Sequence, residues 1–353
     1  MKRNMVFLLI VMMLGVSVAG CAGNAKTSQT TPVTTQQETK KAETDKREEG
    51  IEQPSGYPDK NISWIVPAQA GAVLDITTRA VTNDLDLGGN VIIENMAGAS
   101  NTIGTLEASQ RDADGCTILT GNTSALIIQP LLLDVGYDPA DFRTISLLRP
   151  LGTYCIVVNP KSGLETSDDW LKLVQSGERF TYTVPNAGNA AHLGIIKTLD
   201  ELKADSGVYV SYNGTAEASA AMVNGEVDFA VLDTPDMLAK AKVGDVRVLL
   251  ILDDKPDNLD LSVPTIADLG VKGIDCFYGF QCVAIRKDTP KEAAEWIKNR
   301  ISKVLKSDAY QKYLVDSGAG PMEELMSEEE LTSIIENARV TYEGLLKENG
   351  MIQ

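Results

Sequence analysis

From Tyr57 onward the chain alternates short β-branched runs with longer stretches of helical period, and it does so twice. "NISWIVP" (Asn61 to Pro67) is an apolar run that Pro67 stops. "DITTRAVTNDLDLG" follows, with Asp75 placed as an N-cap, Ile76, Ala80 and Val81 on one face, and Gly88-Gly89 as the stop. "NVIIEN", "TIGTLEASQRDADG" and "CTILTGN" continue as strand, helix, strand, and "TSALIIQPLLL" starts a helix that Pro130 should interrupt. The order β-α-β-α predicts a parallel sheet with crossover helices. "TYCIVVNP" (Thr153 to Pro160) opens a second round, in which "FTYTVP", "VYVSY", "VDFAVLD" and "VRVLLIL" are strands separated by helical segments. "FYGFQCVAI" is a further apolar run that leads to "RKDTPKE", where Thr289 and Pro290 should start the first of two terminal helices.

Two similar α/β units, one apolar strand leading out of the first and another leading back, predict a clamshell with a two-strand hinge. The expected fold class is therefore α/β, with two domains joined by two crossover strands. Residues 57–156 and 281–353 should form lobe 1, and residues 157–280 lobe 2. "DDKPDNLDLS" lacks the spacing of a calcium loop and reads as a solvated turn.

The segment ahead of Tyr57 is of another kind. Lys2 and Arg3 precede an apolar stretch, Met5 to Leu14, shorter than the ~20 residues that span a bilayer. "VAGC" then places Cys21 where a lipoprotein peptidase would leave a lipidated thiol, so residues 1–21 read as a lipoprotein signal. Residues 22–56 are rich in Thr, Gln, Lys and Glu and should form a disordered tether. The protein is expected outside the cytoplasm, anchored to the membrane by lipid.

Charge and cysteine content exclude some functions. The 353 residues carry a formal net charge of −17, which argues against nucleic acid as a partner. Cys116, Cys155, Cys276 and Cys282 include no CxxC pair, and His192 is the sole histidine, so neither a metal site nor another cofactor is expected. If residues 275–285 are one strand, Cys276 and Cys282 stand about 20 Å apart and cannot pair. Buried free thiols are the favoured reading.

In such sheets a ligand settles beyond the carboxyl ends of the strands. Four turns there are built from small residues: "PAQAGAVLD" (Pro67 to Asp75), "TGNTSA" (Thr120 to Ala125), "PNAGNAAH" (Pro185 to His192) and "YNGTAEA" (Tyr212 to Ala218). Small side chains let backbone N–H groups approach a ligand, and each helix start leaves about four donors without intrahelical acceptors. That combination suits an anion without requiring an arginine.

With these motifs the chain resembles the tripartite tricarboxylate transporter solute receptors, also called Bug-type receptors. The resemblance rests on "YPDKNISWIVP", the Gly-Ala turn ending in Asp75, "IIENMAGAS" followed by "IG", "DADGCTILTGN", "VVNPKSG", "YTVPNAGNAAHLG" and "VSYNGTAEASAAMVNGEVDFAV", with "VPTIADLG", "FYGF" and "DTPKE" completing the order. It implies a two-lobed periplasmic-binding-protein fold of type II-like form that binds a di-, tri- or aromatic carboxylate through amides, hydroxyls and waters. It implies membrane transporter subunits as partners and a binding receptor rather than an enzyme; a monomer is expected. Carried over by position, the ligand contacts would be Gln69, Ala70, Gly71, Ala72 and Asp75, then Asn122, Thr123 and Ser124, with Ala187, Gly188, Asn189, Ala190 and Gly214 from the other lobe and Asp233 nearby. Ala72, Leu74 and Asn189 depart from the family's usual Gly, Thr and hydroxyl residue.

His192 matches the family's histidine in that turn, and "NAAHLG" offers it neither nucleophile nor carboxylate. A packing or hydrogen-bonding role is expected. The rival functions are a sensor of the same fold that signals to a membrane kinase, a secreted hydrolase using His192 as base, and a structural surface lipoprotein.

Overall fold

The computed structural model describes residues 51–212, 214–253, 263–273, 277–322, 324–348 and 350–352. The signal segment, Cys21, Cys276 and nearly all of the "DDKPDNLDLS" turn lie outside these residues, as does the tether up to residue 50.

The first sheet contains β1 (Ile62–Val66), β2 (Val91–Asn95), β3 (Thr117–Asn122), β4 (Phe142–Leu147) and β10 (Gln281–Arg286), in the order β2-β1-β3-β10-β4. The second contains β5 (Tyr154–Val158), β6 (Phe180–Thr183), β7 (Gly207–Tyr209), β8 (Phe229–Asp233) and β9 (Arg247–Leu252), in the order β7-β6-β8-β5-β9. The two orders match strand for strand. In each sheet, parallel pairing joins the first three strands, and the fourth runs antiparallel to both its neighbours. The sheets are therefore mixed, not purely parallel as the alternation suggested.

The antiparallel strands are β10 and β5, those entered just after the chain crosses between sheets. Each carries one register shift against its edge neighbour, at Val283/Ala284 and at Ile156/Val157. The crossings themselves are paired. Gly152 N–H donates to Gly279 O at 2.7 Å, and Gly279 N–H returns a bond to Gly152 O at 2.9 Å. Leu148 N–H donates to Gln281 O at 2.8 Å. β5 lies wholly in the second sheet, so the outward crossing occupies residues 148–153.

The helices are α1 (Val73–Thr82), α2 (Thr102–Gln110), α3 (Gln129–Leu132), α4 (Ser167–Gln175), α5 (Ala190–Glu201), α6 (Thr215–Asn224), α7 (Thr234–Lys242), α8 (Lys291–Leu305), α9 (Asp308–Asp316) and α10 (Glu328–Glu348). No helix among the described residues is long and apolar enough to cross a membrane. Central strands carry near-continuous apolar runs because both faces are covered. All six residues of β3 are buried, as are the middle residues of β10 and β5. In the second sheet, Trp170, Phe180, Tyr182 and Phe229 form one aromatic cluster with ring centroids 5.7–5.9 Å apart. The terminal α8 and α10 cover β4 and are tied to it by ions: Arg143 donates to Glu295 and Glu328, and Lys298 donates to Glu328 at 2.8 Å.

Several local expectations need correction. Asp75 is the third residue of α1, which starts after Ala72, so it does not cap the helix. α1 ends at Thr82, well before Gly88-Gly89. Pro130 does not interrupt its helix: Ser124–Ile128 form a π-helical turn, and α3 continues through Pro130 at its N-terminal end, where a missing N–H costs nothing. Thr289 donates to Arg286 O at 2.7 Å instead of capping α8, and Pro290 occupies the cap position. The edge strand β4 was not anticipated. Cys116, Cys155 and Cys282 are buried free thiols.

One close approach couples the fold to the loops at the strand ends. A methyl group at Gly104 of α2 would stand 2.9 Å from both Met96 O and Pro67 Cα. Gly104→Ala should therefore lower stability by about 1–3 kcal/mol, the range of overpacked cores. Chemical denaturation measures it, and an unchanged midpoint would show that α2 packs less tightly on Pro67.

Candidate functional site

The four small-residue turns converge. A cavity of about 680 Å³, within the range of ligand pockets, has walls from all of them. Pro67 to Gln69, Ala72 and Leu74 come from the turn after β1, and Asn122 to Ser124 from the end of β3. Asn186, Ala187, Asn189 and Ala190 come from the turn after β6, and Gly214 from the turn before α6. Asp233 closes β8 beside them. Each segment lies at the carboxyl end of a strand, as open α/β sheets require.

Of the fourteen residues expected from the sequence, ten line this cavity: Gln69, Ala72, Asn122, Thr123, Ser124, Ala187, Asn189, Ala190, Gly214 and Asp233. Ala70, Gly71, Asp75 and Gly188 are not among its walls. The structure shows what three of these four do instead. Gly71 N–H donates to Asp75 Oδ2 at 2.8 Å, and Gly188 N–H donates to His192 Nδ1 at 2.9 Å. Asp75 and His192 are each the third residue of their helix, α1 and α5, and each glycine precedes its helix by two. Both glycines have positive φ, 84° and 69°, a backbone region that suits glycine. The two lobes thus fasten their ligand-side loops with the same device at the same register.

Asp75 is 2% exposed, and its carboxylate also receives Arg79 Nε at 2.9 Å and Asn95 Nδ2 at 2.9 Å. The Arg79 guanidinium, opposed by burial and helped by the Gly71 and Asn95 donors, holds its carboxyl down to about 2. His192 lies against the Tyr209 ring with centroids 4.3 Å apart, and burial pushes its imidazole down to about 4. Nδ1 is already an acceptor, so the neutral ring carries its proton on Nε2.

Other expected contacts are likewise engaged within the loops. Ala72 N–H donates to Gln69 O at 3.1 Å, and Gly214 N–H to Pro185 O at 2.7 Å. Asn189 Oδ1 caps α5 by accepting from His192 N–H at 2.9 Å. Thr123 Oγ1 accepts from Phe280 N–H at 2.8 Å and Ser124 Oγ donates to Ser100 O at 3.2 Å. The donors left at the cavity are first-turn amides, Leu74 in α1 and Ala190 in α5, whose residues line it and which by position have no intrahelical acceptor.

Beyond the strand-end and crossing residues Gly152, Tyr154, Gly279, Phe280 and Gln281, which line the cavity and were not foreseen, two further parts of the site were missed. Ala97 to Asn101 forms a further wall, and Ala99, Ser100 and Asn101 all have left-handed φ of 43°, 52° and 77°. Such residues cost on the order of 1–3 kcal/mol each and gather at functional sites. Asn101 Nδ2 ties this bend to Pro67 O at 2.6 Å. The small residues of "MAGAS" were the available signal. The second omission is Arg149, on the outward crossing, a cation lining a cavity expected to need none. Nothing in "LLRPLG" distinguishes it from a surface arginine.

A chain of two matched α/β sheets, hinged by two crossings around one ligand-sized cavity, has the architecture of a two-lobed solute-binding receptor. The profile described as "Tripartite tricarboxylate transporter family receptor" matches residues 78–351, and the chain belongs to that family. Protein BugT of Bordetella pertussis is similar at 26% identity over 305 residues, 83% of this chain and 90% of that protein. A Cupriavidus necator protein is 27% identical over 243 residues, 67% of this chain and 72% of its own. Among solved structures, MatC from Rhodopseudomonas palustris with bound malate is similar with a TM-score of 0.70 at 20% identity, covering 82% of this chain and all of MatC. An R. palustris protein solved with adipate gives 0.71 at 23% identity, over 83% of this chain and 98% of that one. The fold is the periplasmic-binding-protein fold of these receptors.

His192 and Asp75 make stability depend on pH with one sign. Between pH 6.5 and about 4 the unfolded chain binds a proton at His192 that the folded chain refuses, so stability falls as pH is lowered through that window. Asp75 adds to the fall from about pH 4 down toward 2, where its carboxylate protonates. His192→Phe should lower stability at pH 7 by about 1–2 kcal/mol through the lost hydrogen bond. It should also flatten the dependence between pH 6.5 and 4, as read by denaturation at several pH values. An unaltered slope would place the histidine in water.

Proposed function

We propose that this chain is a lipid-anchored extracytoplasmic receptor that captures a small carboxylate between its lobes and delivers it to a tripartite tricarboxylate transporter. The observation that carries the reading is the convergence of loops from both sheets on one cavity. The carboxylate is held by first-turn amides of α1 and α5, with Arg149 nearby. The malate and adipate found in proteins of the same fold support this ligand class. The first sheet with its helices moves as one lobe and the second sheet, all of β5 included, as the other, so that the outward boundary falls before Tyr154 rather than after residue 156, and the two bend where Gly152 and Gly279 pair. Ligand that touches both lobes favours the closed form. The protein acts as a monomer and not as an enzyme. His192 does no base chemistry, because its Nδ1 lone pair is used by Gly188 and its ring is outside the cavity walls. Cys21 carries the lipid, and residues 22–56 hold the receptor off the membrane.

The magnitudes suffice. A helix terminus in a partly buried site contributes up to about 2 kcal/mol, and a charge-assisted hydrogen bond about 1.5–3 kcal/mol. Three or four such contacts, less the ordering of ligand and loops, reach the roughly −8 kcal/mol of micromolar binding. At 1,000-fold excess over the dissociation constant the native state gains about 4 kcal/mol. A thermal-shift panel of di-, tri- and aromatic carboxylates should therefore raise the melting temperature by several degrees for at least one acid. Stabilisation by sugars or amines alone would overturn the assignment.

A further inference from the structure

The floor of the cavity is built from strand ends, not loops. Tyr154 and Asp233 are cross-strand partners at the end of the second sheet, and Asn122 and Gln281 are partners at the end of the first. All four line the cavity, together with Arg149, Gly152 and Gly279 on the crossings. Positions on paired strands are held more rigidly than positions on loops, which suits them to discriminate between ligands.

The polar groups on this floor are incompletely used. Asn122 is 7% exposed, and its orientation is set because Oδ1 accepts from Ala125 N–H at 3.0 Å. Its Nδ2 is buried and has no hydrogen-bond partner among the described residues. A buried donor left in this state costs about 1–3 kcal/mol, which a ligand acceptor would restore. Arg149 and Asp233 sense each other electrostatically, yet no ion pair joins them among the described residues. Burial pushes the Asp233 carboxyl up, and Arg149 opposes that without cancelling it. Room for the carboxylate comes from a glycine: a methyl group on Gly152 would stand 3.3 Å from Asp233 Oδ2. An acceptor and a cation held near each other but unjoined leave space for a group that touches both.

We infer that this floor selects ligands carrying a hydrogen-bond donor beside a carboxylate: Asp233 accepts from the donor, while Arg149 and Asn122 Nδ2 take the carboxylate oxygens. A 2-hydroxy acid or a 2-amino acid presents both groups on adjacent carbons. Asp233 is on this account a specificity-determining residue, and the inference rests on the receptor reading above.

The test uses three matched sets: succinate, malate and aspartate; glutarate, 2-hydroxyglutarate and glutamate; propionate, lactate and alanine. Titration calorimetry on the purified full chain should show at least one set in which a 2-substituted member binds tenfold or more tightly than its unsubstituted parent. Asp233→Ala should reduce that ratio to about one. Asp233→Asn, which keeps shape and one acceptor oxygen, separates the two sources: a 2-amino preference falls tenfold or more, whereas a 2-hydroxy preference persists within a few-fold. Melting temperatures of the variants without ligand establish that they fold, and the wild-type ratios decide the matter if Asp233→Ala does not. A wild type that prefers unsubstituted acids, or an Asp233→Ala variant that keeps the preference, overturns the inference. If none of the nine binds while tricarballylate or benzoate, which carry no donor beside a carboxylate, does, the receptor reading stands and the role of Asp233 falls. If no acid binds at all, the receptor reading itself fails.

Discussion

Two hydrogen bonds fix the geometry on which the cavity depends, Gly71 N–H to Asp75 and Gly188 N–H to His192. Each spans four residues and fastens a small-residue loop to the third position of the helix that follows it. Without that bond the loop would have only its own weak contacts to resist fraying, because small side chains bury little apolar surface. The acceptors differ in chemistry, a carboxylate in one lobe and an imidazole in the other, but both sit where burial makes an unpaired acceptor expensive. Loop shape is therefore set before any ligand arrives, and preorganisation of this kind removes part of the ordering cost from binding.

The same economy runs through the hinge. Gly152 and Gly279 exchange backbone hydrogen bonds across the two crossings, so the passage between sheets is a short ladder instead of two loose strings. Side chains at these positions would press on Asp233 and Tyr154, with Tyr154 Oη only 2.8 Å from a methyl placed at Gly279. Glycine here serves close approach more than conformational freedom. The arrangement leaves a polar floor on paired strands and crossings, while the walls above it belong to loops.

Much of this was legible in the chain. Alternating periods identified two α/β units but placed the outward crossing too late, inside β5, and the small-residue turns identified four of the segments that meet. Strand direction was not legible, since β10 and β5 carry the same apolar pattern whichever way they run. The β4 strand was hidden because "FRTISL" mixes Arg and Thr into an edge position, where one side is half exposed. Asp75 and His192 stood out, but a shift of two or three residues in the helix start changes an acid from a cap into a clamp. The amides assigned to the ligand at Gly71, Ala72 and Gly188 are engaged by acceptors within their own loops and that of Gly214 by Pro185 O of the neighbouring turn, details that depend on φ and ψ and leave no mark in composition. Arg149 was invisible for a simpler reason: its importance comes from where two crossings place it.

Amide hydrogen exchange at Gly71 and Gly188, followed by NMR in the ligand-free protein, tests most directly whether the loops are clamped in advance. Both amides should be protected without ligand, and saturating carboxylate should perturb Leu74 and Ala190, which line the cavity, far more than the glycines. Free exchange of the two glycine amides at unstructured-chain rates, with protection appearing only on ligand addition, would contradict the account and make those glycines ligand donors themselves.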